Sequence, residues 1–163
     1  MNIERTTELD VPAPEVWRHV QTSRLLRFVA APLMRFEPLE PGSWPEVWRD
    51  GEYLTRVTLL GVVPLGRQTI AISRRVVTDA PGREHYELLD DGAGTLAATW
   101  RHRIVVRALP NGRTVDTDHV EVRAGLLTPV VGLFAALFYR HRQRRWRQLA
   151  RRKFRSPETG VRA

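Results

Sequence analysis

The sequence predicts an α+β fold, a curved antiparallel β-sheet wrapped around a long C-terminal α-helix, with two short helices after the first strand. Three observations predict it. The middle of the chain is a run of strand-like segments separated by short Gly- and Pro-containing turns. Short turns demand antiparallel pairing, because parallel strands need longer crossovers. A proline-bounded helical stretch follows the first strand, and the last long segment has helical periodicity with no proline after Pro129.

The elements follow in order. Asn2 to Leu9 alternates in side-chain character and suits a strand. Asp10-Val11-Pro12-Ala13-Pro14 ends it. Pro14 fits a first helical turn, where a missing N–H costs nothing, and Glu15 favours the helix dipole there. Val16, Trp17 and Val20 make a narrow apolar stripe, so a helix is predicted over 13–21. Ser23 is the expected N-cap of a second short helix that closes at Pro32. Strands are then predicted over 34–39, 53–60, 68–78, 84–89, 95–109 and 113–123. The intervening turns are Pro41-Gly42, Pro64-Leu65-Gly66, Pro81-Gly82, Asp91-Gly92-Ala93-Gly94 and Pro110-Asn111-Gly112.

From Thr128 to about Phe154 the pattern becomes helical. Thr128 is the expected N-cap, with Pro129 in the first turn. Val130, Leu133 or Phe134, Leu137 or Phe138, His141, Trp146 and Leu149 form the stripe. A helix that long needs a large apolar surface to lie on, and a strongly curved sheet supplies one. The stretch from Val130 to Tyr139 is apolar nearly all round, so it is expected to be buried or to cover a cavity. One domain is expected over 1–155, with a loose tail over 156–163.

Composition narrows the chemistry. The chain has 163 residues, 42% apolar and 27% charged, which suits one globular domain. It has no cysteine, which excludes disulfides, thiolate metal sites and a cysteine nucleophile. No secretory leader is read at Met1 to Asp10, and the longest apolar run, Leu126 to Tyr139, falls short of the roughly 20 residues a spanning helix needs. A cytoplasmic location is expected. The histidines occur singly, so no metal is expected. No Gly-rich nucleotide loop and no Gly-x-Ser-x-Gly elbow occurs, and no cofactor is expected.

Three segments carry a family resemblance. Val11-Pro12-Ala13-Pro14-Glu15-Val16-Trp17 resembles the turn into the first helix of the SRPBCC superfamily. Thr117-Asp118-His119-Val120-Glu121-Val122 is similar to its last strand, and Phe138-Tyr139-Arg140-His141-Arg142 to a segment of its terminal helix in some subfamilies. That superfamily has the helix-grip fold and includes polyketide cyclase/dehydrase-like proteins and lipid-transfer START domains. The resemblance implies a pocket between sheet and helix for lipids, polyketides or quinones. It does not imply one reaction. The expected ligand-binding residues are Trp100, His102, Phe134, Leu137 and Phe138.

Catalytic candidates come from alternation along the strands. His102 shares a face with Trp100, Ile104 and Val106, while Arg101, Arg103, Val105 and Arg107 occupy the other, so His102 is expected to point inward. It is either a general acid–base group or a core histidine satisfied by its neighbours. His119 and Glu121 share one face of the last strand, and Asp116 and Asp118 share the opposite one. Alternation alone leaves open which face meets the cavity. If the first does, His119 and Glu121 form a carboxylate–imidazole pair near the ligand. If not, they are a surface pair beside Arg123. Trp44, Trp48 and Tyr53 are either core or a stacking surface at a cavity mouth.

The net charge is +8, and Lys153 is the only lysine. Arg140 to Arg155 holds nine basic residues and no acid. This segment either contacts an anionic membrane surface, or it solvates the outer face and pairs with Glu84, Glu87, Asp90 and Asp91. A nucleic-acid partner is not expected, since no binding motif accompanies the charge. The expected partner is a hydrophobic small molecule. The functions that remain open are ligand binding, a polyketide cyclase, dehydratase or aromatase activity, and a membrane-surface adaptor role. The oligomeric state is unread.

Overall fold

The computed structural model describes residues 1–80 and 83–155. The Pro81-Gly82 turn and the expected tail from 156 to 163 lie outside the described residues. In chain order the elements are β1 (Asn2–Leu9), α1 (Ala13–Val20), α2 (Ser23–Ala30), β2 (Met34–Glu40), β3 (Gly51–Leu59), β4 (Val63–Ala80), β5 (Arg83–Gly94), β6 (Thr99–Ala108), β7 (Thr114–Arg123), a 3-10 turn at Gly125–Leu127, and α3 (Thr128–Arg151). The strands form one antiparallel sheet in the order β1-β7-β6-β5-β4-β3-β2. This is the predicted helix-grip arrangement. α3 packs against β1, β7 and α2.

Local sequence explains the helix starts, with two shifts from expectation. Pro14 lies in the first turn of α1. The cap of α2 is Thr22, not Ser23: the Leu25 N–H donates to Thr22 Oγ1 at 3.2 Å. Ser23 is the first helical residue, and its hydroxyl donates instead to the Pro45 carbonyl at 2.6 Å. Thr128 does not cap α3 but ties the turn before it, accepting from the Ala124 N–H and donating to the Gly125 carbonyl.

The predicted turn at Asp91-Gly92-Ala93-Gly94 is strand. β5 runs through it to Gly94, and the chain turns later, before Thr99. The glycines there allow close backbone approach. A Cβ on Gly92 would sit 2.6 Å from the Thr69 carbonyl oxygen, and one on Gly94 2.7 Å from that of Arg67. The consequence for the site is direct, because Asp90 becomes a mid-strand residue facing His102 across the β5–β6 ladder.

The core lies between the concave face of the sheet and the three helices, centred on Val16, Val29, Val106, Val122, Tyr139 and Trp146. β7 decides the orientation left open by alternation. Thr114, Asp116, Asp118, Val120 and Val122 face inward, while Thr117, His119 and Glu121 face outward. Among the described residues no helix is long and apolar enough to cross a membrane.

Candidate functional site

Between α2, α3 and strands β2, β4, β5 and β6 lies an inner cavity of about 70 Å³. α2 contributes Leu25, Leu26 and Val29, and β4 contributes Ile70 and Ile72. Trp100, His102 and Ile104 come from β6, and Phe138, Tyr139 and Arg142 from α3. Met34, Gln68 and Trp100 are shared with a second, outer groove of about 300 Å³. That groove runs between the β3–β4 hairpin, the β5–β6 loop and the start of α3, where Val130, Val131 and Phe134 line it. Its volume reaches the lower end of the usual range for small-molecule sites, roughly 300–1,000 Å³.

The floor of the inner cavity is charged. The Arg142 Nη1 donates to Asp118 Oδ2 at 2.6 Å, and His102 Nε2 lies 2.8 Å from Asp118 Oδ1. Gln143 Nε2 donates to both Asp116 and Asp118. Asp116 and Asp118 have no exposed surface, and Arg142 and Gln143 are also buried. Burial works against the Asp118 charge, but Arg142, with hydrogen bonds from His102 and Gln143, outweighs it and holds the carboxyl below its usual range. Asp116 goes the other way. Burial and the neighbouring Asp118 charge push it up to about 7.

Burial lowers the pKa of His102 in spite of Asp118, so its imidazole is neutral near pH 7. The ionised Asp118 can only accept, so Nε2 carries the proton and Nδ1 is left as an acceptor. The ring sits edge-on to Tyr139 at 4.7 Å, and the Tyr139 hydroxyl accepts from the Trp100 indole N–H at 3.1 Å.

Asp90 is the second ionisable group of the cavity wall. Its Oδ1 accepts from the Ala71 N–H at 2.8 Å, and no cation pairs with it among the described residues. Burial therefore pushes its pKa up to about 8, leaving it protonated at neutral pH. A protonated carboxyl on β5 thus stands directly across the ladder from a neutral imidazole on β6. One is a proton donor and the other a proton acceptor, in a cavity whose other walls are mainly apolar.

The expected residues divide. Trp100, His102 and Phe138 line the inner cavity, and Phe134 lines the groove. Leu137 does not: it lies one position round the helix from Phe138 and is exposed. His119 and Glu121 lie on the outer face, so the carboxylate–imidazole pair near the ligand is not formed. His119 meets Glu4 at 3.2 Å, and Glu121 meets Arg101 and Arg123. Trp48 lines the cavity and stacks edge-on with Trp44 and Tyr53. Among the described residues the basic segment of α3 does not pair with Glu84, Glu87, Asp90 or Asp91; its strand-acid contacts are those of Arg142 with Asp116 and Asp118 on β7. Glu87 meets Arg75 and Arg103, Asp91 meets Arg101, and Asp90 faces the cavity. Among the described residues no three or more His, Asp or Glu gather as a metal site.

Sequence reasoning missed Asp90, Asp118, Tyr139 and Arg142 as site residues. For Asp118 a signal existed. Val120 and Val122 share its face, whereas Arg123 ends the other, so the apolar end of the strand marks the inner side. Asp90 had no such signal, because Asp-Asp-Gly-Ala-Gly has the composition of a turn.

A sequence-family profile described as Domain of unknown function (DUF8410) matches residues 7–152. No curated protein matches the chain. Solved structures do. An aromatase/cyclase, Zhui, from Streptomyces sp. R1128 is 17% identical, covers 97% of this chain and 98% of its own, and superposes with a TM-score of 0.57. A START superfamily protein from Mycobacterium smegmatis is 15% identical, with 93% and 98% covered and a TM-score of 0.51. A protein from Arthrobacter aurescens is 14% identical, with 99% and 92% covered and a TM-score of 0.61. At such identities the likeness is one of fold, and that fold is SRPBCC/START-like.

Proposed function

The chain belongs to the DUF8410 family, and we propose that it binds a hydrophobic small molecule of the lipid, polyketide or quinone class between the sheet and α3. One observation carries this reading: an apolar groove adjoins an inner cavity, sharing Met34, Gln68 and Trp100 with it, and Asp90, His102 and Arg142 are among the few polar groups of that cavity. Apolar walls supply affinity, and a small number of fixed donors and acceptors supply orientation. Protonated Asp90 donates, and His102 Nδ1 accepts. That pair suits a ligand bearing a carbonyl or hydroxyl at one end of an apolar body. Solved structures of similar fold, among them a START superfamily protein, support the same reading.

The test is native mass spectrometry of the purified protein, with solvent extraction of whatever copurifies. A stoichiometric apolar compound is expected from the wild type and lost from Leu26→Trp, which fills the chamber from α2. A compound retained in equal amount by Leu26→Trp would remove the assigned pocket.

A second reading is an enzyme of the cyclase, dehydratase or aromatase type. The Asp90–His102 juxtaposition favours it, because a neutral base facing a protonated acid can enolise a ketone and protonate a leaving hydroxyl. Turnover of a polyketide-like substrate that survives in both Asp90→Asn and His102→Ala would remove this mechanism. The reading of the basic segment as a membrane adaptor is weakened by its own side chains. Arg142 is buried against Asp118, and Arg145 lies 4.2 Å over the Phe28 ring and donates to the Phe28 carbonyl.

A further inference from the structure

The groove mouth has a composition that ligand binding does not require. Three segments build it, and each lacks charged residues: Val57 to Gly66, Gly92 to Trp100, and Ala124 to Tyr139. The chain as a whole is 27% charged, yet ten, nine and sixteen consecutive residues meet here without one charge. Their apolar side chains are turned outward as well as into the groove. Val62 is 77% exposed, Leu126 100%, Leu127 56% and Val130 69%. Exposed apolar clusters of this kind mark interaction surfaces.

The hairpin tip carries a second oddity. Leu60 has φ 52° and Gly61 φ 75°. Turns with two left-handed residues favour Asn, Asp or Gly, and a leucine in that position is uncommon. Here it keeps an apolar side chain at the outermost point of the β3–β4 connection.

Charge names the occupant. Arg56 and Arg67 flank the first segment, and Arg123 and Arg140 flank the third. Arg67 and Arg140 enter no ion pair among the described residues. From Leu126 in the preceding turn, the outward stripe of α3, Val130, Leu133 and Leu137, continues as Arg140 and Arg144 at the same helical spacing. An apolar ridge passing into free arginines complements a surface that is greasy below and negative above. A second copy of the chain fits poorly, since each copy brings a net charge of +8 to the contact.

We propose that the groove mouth is a docking surface for an anionic lipid bilayer, with the hairpin tip and the α3 ridge inserted among the acyl chains and Arg67 and Arg140 at the headgroups. Interfacial elements of this type sink about 5–10 Å into the boundary and are held by apolar area plus attraction to anionic lipid. The groove then opens onto the membrane rather than onto water. The proposal goes beyond ligand binding and is tested without any ligand.

The experiment is co-sedimentation with sucrose-loaded vesicles, of phosphatidylcholine with about a third phosphatidylglycerol, or of phosphatidylcholine alone. Binding is expected to the anionic vesicles, to weaken as salt is added, and to be much lower on the neutral ones. Val62→Ser and Leu126→Ser touch no core contact, and each is expected to weaken binding about tenfold, the loss of one inserted aliphatic side chain. Arg140→Gln is expected to weaken binding to anionic vesicles only. Tryptophan placed by Val62→Trp is expected to be quenched by lipids brominated on the acyl chain. No vesicle binding, or wild-type binding by both serine variants, would overturn the proposal. So would concentration-dependent dimerisation abolished by Leu126→Ser, which would make the ridge a contact between copies. A ligand recovered from a protein that ignores vesicles would leave the pocket standing and remove only the docking surface.

Discussion

The two halves of α3 invert the usual relation between composition and burial. From Thr128 to Tyr139 the helix carries no charge, yet Val130, Leu133 and Leu137 are exposed. From Arg140 to Arg151 it carries six arginines, yet Arg142, Gln143 and Trp146 are buried. The difference lies in what stands opposite. β7 presents Asp116 and Asp118 to the second half, so a guanidinium and an amide become the groups that fit. The first half turns Val130 to the unfilled groove, and Leu133 and Leu137 lie outside it, exposed. Burial follows the partner, not the hydropathy of the segment.

The sharpest way to break the comparison is to remove the partner. Asp118→Ala is expected to destabilise the protein by about 3–5 kcal/mol in urea unfolding, because it strands the Arg142 charge in the interior. Asp118→Leu combined with Arg142→Met is expected to cost less than the two single changes summed, since neither charge is then left alone. Gly92→Ala comes next, at about 1–3 kcal/mol, because its Cβ meets the Thr69 carbonyl rather than a yielding side chain.

The uncompensated carboxyl of the cavity wall gives a pH-dependent contrast with the compensated floor. Asp90 binds its proton more tightly folded, up to about 8, than unfolded, near 3.9. The folded state therefore holds more protons between these values, and stability falls as pH rises through them. Asp116 adds the same trend up to about 7. Asp118 has the opposite sign, and its contribution is lost only as the pH falls below the ordinary carboxylate range. Asp90→Asn is expected to flatten the profile of Tm against pH and to raise Tm above pH 8. An unchanged profile would mean that Asp90 is already ionised in the chamber.

The smallest effects are expected on the exposed sides. Leu133→Gln on α3 and His119→Ala on the outer face of β7 are each expected to change stability by less than about 0.5 kcal/mol. A loss of more than about 1 kcal/mol in His119→Ala would show that the Glu4 pair stabilises the β1–β7 edge well beyond an ordinary surface contact.

Much of the fold was legible because its signals are local. Period-2 alternation, the proline at the starts of α1 and α3 and the Gly- and Pro-containing turns all act within a few residues. β5 escaped because Gly92 and Gly94 are in the sequence for a cross-strand clearance, and the same letters spell a turn. The site was legible on β6, where arginines mark the wet face and send His102 inward. On β7 the signal was weaker: both faces carry acids, only Val120 and Val122 at the strand's end mark the inner one, and its acids are satisfied by residues some 25 positions later in the chain. On α3, a stripe read as core turned out to be split between groove and surface, since periodicity gives the angle of a face but not its neighbour.

The strand order has a consequence for how the chain is made. β1 is made before β7, yet among the described residues its ladder partner is β7, with Asn2 opposite Glu121 and Leu9 opposite Thr114. The countercharge for β7 arrives later still, on α3. During synthesis the first strand waits unpaired for more than a hundred residues, and two aspartates wait for their arginine. Closure of this sheet is therefore a late, long-range event, slow by the measure of contact order. A nascent chain halted before Thr114 has an open β6 edge and no means of covering it, which makes premature termination a route to aggregation rather than to a smaller fold.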